Sequence, residues 1–293
     1  MTQNLASALV SKFQPILDEV YATSSLTSRM DGLTKPVDFA GANVVKVLKL
    51  GMVGLANYVR ETGYIVGDVT ATWETLTLAI SRGREFNIDR MDDEETLGMV
   101  FGSLAGEFIR TLVVPEVDAY RFATYAGWGS VGQATPATYT SSTIIAALDA
   151  AKAAMNAASV PVEGRILYIS DTCLGFLEAA VTRMLGNESA ANRTLNFWDG
   201  MPIVMVPQTR FYSAITLTAG SATTGGFANN GSEMNFMIVH PSAVLQVTKH
   251  ANLKIFSPEE NQSKDAWKFQ YRLYHDAFVY DNKVAGVYHS HKA

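Results

Sequence analysis

The feature that most constrains this chain is a pair of strand-like segments with no core of their own. Residues 44–50 (VVKVLKL) are predicted to form one strand, and the Thr-rich residues 68–88 a second strand region with Trp73 and Glu74 on opposite faces. Thr, Trp and Val favour such pleated, half-buried surfaces. The two segments predict an extended hairpin with its tip near residues 60–68. Because a two-stranded ribbon is at best marginally stable in water, this hairpin needs another surface to pack on.

The residues before the hairpin are predicted to form an arm. Apolar residues recur there at helical spacing, at Leu5, Leu9, Phe13, Ile16, Leu17 and Val20. Residues 23–41, which follow, are rich in Ser, Thr, Gly and Pro. A short amphipathic helix on a polar tether rarely folds alone, so we expect the arm to dock on another surface, such as a neighbouring chain.

The strongest predicted helix follows the hairpin. Residues 92–95 are four consecutive acids, which complement the positive end of a helix dipole. An apolar face continues to Val114, which gives about 23 residues and a length of roughly 34 Å. Pro115 is expected to end or kink this helix. A second helix over residues 116–126 is predicted to end at Gly127.

From about Pro136 the sequence alternates between helical and strand patterns, which predicts a compact α/β module. Its helices are expected from a cap at Ser141 or Ser142 to Ala158 and from Asp171 to Gly186, and its strands over 165–170, 203–206, 211–217 and 236–240.

The last 40 or so residues change to a strand pattern. Residues 267–274 alternate between apolar and polar, and residues 279–280 and 284–288 are predicted to pair around Asp281 and Asn282. These strands need an apolar partner, which the long helix supplies. We therefore expect one discontinuous domain of helix and C-terminal strands, with the α/β module inserted between them.

The composition excludes several classes of protein. A single cysteine cannot form an internal disulfide, and 48% hydrophobic residues is too high for a disordered chain. The net charge of -5 argues against a dedicated nucleic-acid reader, which needs a basic surface. Charged residues make up only 17%, against about a quarter in typical domains, and their depletion from buried interfaces makes self-association the natural explanation. No run of about 20 apolar residues occurs, so no transmembrane helix is predicted.

Residues that could carry chemistry have simpler interpretations. Cys173 lies in the first turn of a predicted helix, where a thiol can become a nucleophile, but no base accompanies it. His289 and His291 form an HxH pattern that lacks further metal ligands. Gly225-Gly226 is not followed by the GK[ST] of a phosphate-binding loop, and residues 92–95 are explained by helix capping. We therefore predict no enzyme, no cofactor and no metal site.

The order of arm, hairpin, acidic-capped helix, inserted module and C-terminal strands resembles the major capsid proteins of tailed phages, the Hong Kong 97-type shell fold. The resemblance covers residues 40–290 or so, and no catalytic signature takes part in it. The segments that carry it are GDV (67–69), WETLTL (73–78), RGREFNID (82–89), MDDEET (91–96), VPEVDAYR (114–121) and AFVYDNK (277–283).

The resemblance implies an α+β fold with an N-arm over residues 1–43, an extended β-hairpin or E-loop over 44–90, and an inserted α/β axial domain over 137–248. A peripheral domain with the long spine helix and antiparallel strands is expected to combine 91–136 with 249–293. The implied function is that of a major capsid protein, which forms pentamers and hexamers of an icosahedral shell around double-stranded DNA. Candidate assembly-interface residues are Arg60, Glu61, Asp68, Trp73, Glu74, Arg82, Arg84 and Glu85.

The implied partners are other copies of the chain, a separate scaffolding protein, a portal, a decoration protein and, without sequence specificity, the packaged DNA. No membrane partner is expected, and the implied location is the virion, assembled in the cytoplasm of a bacterial host. Some family members form a covalent cross-link from a hairpin lysine. We expect none here, since no lysine occurs over residues 50–151 and the hairpin is therefore taken to lack a donor.

Two other functions stay open. The first is an encapsulin-like bacterial compartment, which has the same fold but encloses an enzyme cargo. The second is an α/β enzyme that uses Cys173 or the acidic cluster, although the sequence offers no set of catalytic residues for it.

Overall fold

The computed structural model describes residues 25–33, 43–61, 63–91, 99–184 and 195–293. The chain divides into two compact units, Lys35–Ile80 and the remainder, Met1–Thr34 with Ser81–Ala293. We call the first the hairpin unit and the second the body. The predicted arm helix and the acidic residues 92–95 lie outside the described residues. The division into four domains expected from the sequence remains a prediction. The hairpin unit, Lys35–Ile80, begins and ends earlier than the hairpin segment predicted over residues 44–90.

The hairpin unit contains the antiparallel strands β1 (Val44–Met52) and β2 (Val69–Thr77), in register from Val44 opposite Thr77 to Met52 opposite Val69. Residues 53–68 connect them and include an isolated bridge between Val59 and Gly63. The predicted hairpin and the location of its tip are confirmed. The single strand region predicted over 68–88 is wrong in one respect, since it is interrupted at Leu78 and Ala79 before β3 (Ile80–Asp89).

In the body, β3 is an edge of a three-stranded sheet in the order β11-β12-β3. Strand β11 is Val244–Phe256 and strand β12 is Ala266–Val279, and they pair antiparallel with a bulge between Thr248 and His250. Residues 267–274, where the sequence alternates between apolar and polar, therefore lie in a strand, as expected. The strand, β12, extends beyond this segment to Val279, because β11 pairs with β12 along nearly its whole length.

The spine helix is interrupted before Pro115. It comprises α1 (Met99–Phe108), a π-helical segment (Ile109–Val113) and α2 (Val114–Gly127). The N–H of Val114 donates to the carbonyl of Ile109, five residues back. Because Pro115 has no N–H, it cannot continue the α-helical ladder, and the chain accommodates it with a wider turn. The expected interruption at Pro115 is thus confirmed, and so is the end at Gly127.

The spine packs on the three-stranded sheet. Its buried residues Ala105, Ile109 and Val114 form one cluster with Leu253, Ile255 and Phe269 of β11 and β12. This contact confirms that the long helix supplies an apolar partner for the strand predicted over 267–274. The prediction is wrong for the strand over 284–288, since residues 287–291 pair in a different sheet.

A six-stranded sheet in the order β4-β13-β10-β5-β7-β6 runs through the α/β module, and its first two strands come from outside the predicted residues 137–248. Its strands are β4 (Gly132–Gln133), β5 (Ile166–Ser170), β6 (Phe197–Trp198), β7 (Met201–Val206), β10 (Met234–Val239) and β13 (Val287–His291). Helix α3 is Ile144–Ala157 and helix α4 is Asp171–Met184. Strands β8 (Ile215–Leu217) and β9 (Phe227–Asn229) form a separate ribbon. Short 3-10 helices are Ser28–Leu33, Gln208–Arg210, Pro241–Ala243 and Asp281–Gly286.

Both faces of this sheet are covered. In β5, Ile166 and Tyr168 belong to the cluster that contains Phe122 of α2. Leu167 and Ile169 belong to the opposite cluster, with residues of α3 and α4. A strand buried on both faces is continuously apolar and does not alternate, as the sequence of β5 shows.

Three sequence-based assignments are corrected here. The strand pair around Asp281 does not form, since β12 runs to Val279, residues 281–286 are 3-10 helical, and β13 pairs with β10 and β4. Helix α3 begins at Ile144 after a turn, beyond the predicted caps. The strand predicted over 211–217 shortens to Ile215–Leu217.

Candidate assembly surfaces

One face of the hairpin ribbon is apolar and exposed. The register places Leu48 opposite Trp73 and Met52 opposite Val69 on this face, and all four side chains are exposed, Trp73 at 62%. Directly opposed side chains in an antiparallel pair contact each other, so these residues form one continuous strip. We call it the apolar strip. The predicted separation of Trp73 from Glu74 onto different faces is confirmed.

The other face of the ribbon is polar along its middle. Lys49 Nζ lies 3.1 Å from a carboxylate oxygen of Glu74, so one of the predicted interface residues already has a partner in its own unit. Lys46 and Lys49 both belong to β1. The expectation that the hairpin lacks a lysine is therefore wrong for its strands, and the absence of a cross-link remains a prediction without that support.

The hairpin tip continues the exposed apolar surface. Of the seventeen large hydrophobic residues exposed within the described residues, twelve belong to the hairpin unit. Tyr58 and Tyr64 contact each other at the tip, with ring centroids 4.8 Å apart. The predicted interface residues Arg60, Glu61 and Asp68 are exposed beside them. Contiguous exposed apolar surface of this kind marks interaction sites in soluble proteins.

The predicted interface residues on β3 have a different setting. Burial alternates along this strand, and even-numbered residues face inward. Arg82 and Arg84 are therefore inward-facing, on the same side as Phe86, which contacts Phe108 of the spine. Glu85 faces outward and accepts a hydrogen bond of 2.6 Å from Gln270.

Arg82 and Arg84 bind the loop that connects β8 to β9. Arg82 donates to the carbonyls of Thr218 and Gly226, and Arg84 to three carbonyls between these two positions. Arg82 also makes a two-point contact with Glu116, at 2.7 and 3.1 Å. Such bidentate contacts are the geometry that the guanidinium group favours. These arginines therefore connect elements of the body to one another.

Glu85 has an ordinary surface environment with local partners. Its pKa lies below the usual value because Gln270 and Asn87 both donate to the carboxylate. Lys268 lies 3.8 Å away and contributes in the same direction. The structure thus separates the eight candidates into five on the hairpin, where Trp73 lies on the apolar strip, and three on β3. Their role in contacts between copies remains a prediction.

A cleft of about 520 Å³ lies beside the spine, inside the body. The π-helical segment, β3 and the β8–β9 loop line it, and the apolar walls come from Phe86, Phe108, Leu112, Tyr271 and Leu273. Arg82 and Arg84 lie at its edge and hold the loop that forms one wall.

A buried carboxylate that the sequence analysis did not single out anchors the N-terminal segment. Asp118 is fully buried and accepts hydrogen bonds from the hydroxyls of Ser25 and Thr27, at 2.9 and 2.7 Å, and from the backbone N–H of Leu26, at 3.0 Å. Arg210 lies 3.6 Å away and supplies an opposite charge. The only sequence signal is an acid on the apolar face of an otherwise amphipathic helix.

Those of the residues considered for chemistry that the structure describes do not assemble into a reactive centre. Burial raises the pKa of the Cys173 thiol, which opposes formation of the nucleophilic thiolate. Burial also lowers the pKa of His289 to about 4, and His291 lies next to Gln133, with a nitrogen–nitrogen distance of 2.7 Å. Within the described ranges, no group of three or more potential ligands could hold a metal ion. No described helix is long and apolar enough to cross a membrane.

Comparison with known proteins identifies the fold. No family model and no curated protein matches the sequence. Among solved structures, one from Gordonia phage Cozz is 13% identical, covers 92% of this chain and 86% of its own, and superposes with a TM-score of 0.62. The capsid structure of cyanophage P-SCSP1u is 15% identical over 87% and 85% of the two chains, with a TM-score of 0.60.

A third similar structure, a virus-like particle from Pyrococcus furiosus, is 11% identical over 96% and 99% of the two chains, with a TM-score of 0.57. This chain has the fold of phage capsid proteins. The α+β fold of the Hong Kong 97 type, expected from the order of elements and a few segments, is confirmed.

Proposed function

We propose that this protein is the major capsid protein of a tailed double-stranded DNA phage. Copies of it form pentamers and hexamers that close into an icosahedral shell around the genome. The observation that carries the proposal is the capsid fold across nearly the whole chain, together with a hairpin unit that exposes its apolar strip. A shell supplies the cover that this strip requires, because each copy can lie across the next.

The charge of the chain is consistent with a container for DNA. A net charge of -5 avoids strong binding of phosphates, which would hinder packing and release of the genome. Many weak contacts that are repeated by symmetry give a closed shell high stability without any single strong contact. The proposal includes a separate scaffolding protein, a portal, a decoration protein, assembly in the host cytoplasm and a final location in the virion. It includes no catalytic activity.

Electron microscopy of the purified protein tests the proposal. The full chain is expressed alone and together with candidate scaffolding proteins from the same genome, and particles are imaged and their symmetry determined. Closed shells with pentamers and hexamers are the expected result. A protein that stays monomeric at micromolar concentration under all these conditions contradicts the proposal.

The second candidate is a protein compartment that encloses other proteins. The similarity to the virus-like particle from Pyrococcus furiosus, which spans nearly all of both chains, favours it. Particles isolated from the native source distinguish the two candidates. Packaged double-stranded DNA and a portal at one vertex support the phage capsid, whereas a co-purifying protein cargo without DNA supports the compartment.

A further inference from the structure

Two arginines on β3 hold the loop of residues 218–226 through its backbone. Arg82 donates to the carbonyls of Thr218 and Gly226 at 2.6 and 3.0 Å, which are the two ends of the loop. Arg84 donates to the carbonyls of Ser221, Ala222 and Thr224 at 2.8, 2.8 and 3.2 Å. Five carbonyls of one loop therefore accept from two side chains. We call this set of contacts the arginine clamp.

The loop has hydrogen bonds within itself, and the clamp attaches it to the body. Residues 219–225 are exposed and consist only of Ala, Gly, Ser and Thr. Gly220 and Gly226 have φ values of +88° and +81°, a region that favours glycine. Inside the loop, the N–H groups of Thr218 and Ser221 donate to the carbonyls of Gly226 and Thr224, both at 3.0 Å. The Ser221 hydroxyl accepts from the N–H groups of Thr223 and Thr224, at 3.3 and 3.2 Å. A loop of small polar residues gains no stability from apolar burial, so the clamp is its main link to the body.

The clamp residue Arg82 is also bound to the spine, through Glu116. Both oxygens of the Glu116 carboxylate accept from Arg82, and Glu116 lies in the first turn of α2 beside Pro115. The Arg82 and Glu116 side chains are 24% and 15% exposed, so this ion pair is shielded from solvent more than a typical surface pair. The guanidinium plane of Arg82 is thereby fixed independently of its contacts with the loop. A lysine carries the same charge but cannot reproduce this planar set of donors.

We propose that Arg82 and Arg84 are positioning residues, which hold the 218–226 loop in the conformation that a second copy of the chain contacts during assembly. They act from inside the subunit and not as charges at the interface itself. The part of the proposal that concerns assembly rests on the proposed function. The clamp contacts only backbone carbonyls, and the hydroxyls of Ser221 and Thr224 contact each other within the loop at 2.8 Å. The side chain of Thr223 stays exposed, so a neighbour can reach the loop there. A loop that is ordered beforehand loses less conformational entropy when it docks.

Amide hydrogen exchange on the unassembled full-length subunit tests the clamp. The variants are Arg82→Lys and Arg84→Lys, with Arg272→Lys as the matched control. Arg272 lies on the same sheet and contacts Ser81, away from the loop. The clamp predicts that amides of Thr218 and Ser221 exchange about tenfold faster or more in the first two variants and unchanged in the control. Unchanged exchange of the loop in both clamp variants overturns the proposal.

Assembly kinetics test the second part. Light scattering measures the subunit concentration at which shells form for the wild type and each variant. We expect Arg84→Lys to raise this concentration about tenfold, through the ordering cost of a released loop, while Arg272→Lys leaves it unchanged. A released loop with unchanged assembly overturns the role of the clamp in assembly.

A second variant covers the case in which the arginine variants fail to fold. Gly220→Ala disfavours the loop conformation from the loop side, since φ is +88° and the added Cβ lies 3.3 Å from the Thr224 carbonyl oxygen. It leaves both arginines in place. Impaired assembly of this variant supports the proposal, and normal assembly with an altered loop contradicts it. If the wild type forms no shells, the proposed function fails, whereas the exchange experiment still decides whether the clamp exists.

Discussion

The hairpin unit and the three-stranded sheet of the body follow the same alternating pattern, yet their apolar faces end in opposite environments. On β12, Phe269 is 1% exposed because the spine helix covers it. On β2, Trp73 is 62% exposed and lies in a strip of similar residues. Alternation therefore establishes which side chains share a face, but it does not show what packs on that face. In the body, the spine helix of the same chain packs on it. In the proposed shell, another copy of the chain packs on the apolar strip of the hairpin.

The largest effect on stability is expected in the body, where the spine helix packs on the apolar face of the sheet. Phe269 packs against the rings of both Phe86 and Phe108, with centroid distances of 6.1 and 6.2 Å. Replacing Phe269 with Ala removes this contact and leaves a cavity, which should lower the free energy of unfolding by about 3–5 kcal/mol. Denaturant unfolding of the unassembled subunit measures it. A loss of less than about 1 kcal/mol would mean that the spine does not cover the sheet as described.

The next largest effect should come from the buried carboxylate in the body. Asp118→Asn keeps the size of the side chain but replaces an acceptor by a donor that faces other donors. The cost is expected to be about 3 kcal/mol, because Arg210 also loses its partner. Denaturant unfolding measures this loss, and amide exchange at Leu26 reports whether residues 25–27 are released. Asp149→Asn is the control, since Asp149 contacts only the lysine side chain of the next helical turn in a partly exposed pair. An equal effect of both variants contradicts the anchoring role.

Phe269 and Asp118 show which structural features can be predicted from the sequence and which cannot. The apolar face of residues 267–274 fixes the position of Phe269 through local periodicity alone. Asp118 binds residues more than 90 positions away, and nothing in the local pattern indicates them. The break at Leu78 is also invisible in the sequence, because even-numbered residues are the less exposed ones on both sides of it while the pairing partner changes from β1 to β12.

The candidate site shows the same limit. Trp73 lies on the opposite face from Glu74, as the alternation predicts, and the structure adds that this face is exposed. Arg82 and Arg84 are interface candidates because they lie in a segment that carries the resemblance, whereas their acceptors are carbonyls of a loop about 140 residues away. A pattern of charged residues on a strand does not reveal such distant backbone partners.

The effect expected from a buried histidine in the body is small at neutral pH and grows as the pH falls. His275 is 2% exposed, and burial lowers its pKa to about 3, with a contribution from the charges of Arg121 and Arg82. The unfolded chain takes up a proton below about pH 6.5, while the folded chain stays neutral down to about pH 3. Stability should therefore fall as the pH decreases through this window, by up to about 1.4 kcal/mol per pH unit.

Replacing His275 with Gln should remove this part of the pH dependence, whatever it does to stability at neutral pH. Denaturant unfolding at several pH values between 4 and 7, about the range in which the unfolded histidine titrates, gives the slope. His250→Gln is the matched control, because His250 is exposed on the neighbouring strand. The assignment is wrong if the wild type and His275→Gln lose stability with the same slope.

The smallest effect on the stability of the isolated subunit is expected for Trp73, although tryptophan has a larger side chain than the residues replaced above. Its surface is already in water, so Trp73→Ala removes little that stabilises the fold, and the free energy of unfolding should change by about 0.5 kcal/mol or less. Assembly should respond much more strongly, because aromatic residues dominate the energy of protein interfaces. Denaturant unfolding and light scattering on the same preparation measure both quantities. Trp267→Ala serves as the control, since Trp267 packs against the spine cluster and should lower stability. If Trp73→Ala destabilises the subunit as much as Trp267→Ala does, the apolar strip is part of the core of the subunit, and the contrast between the two regions no longer holds.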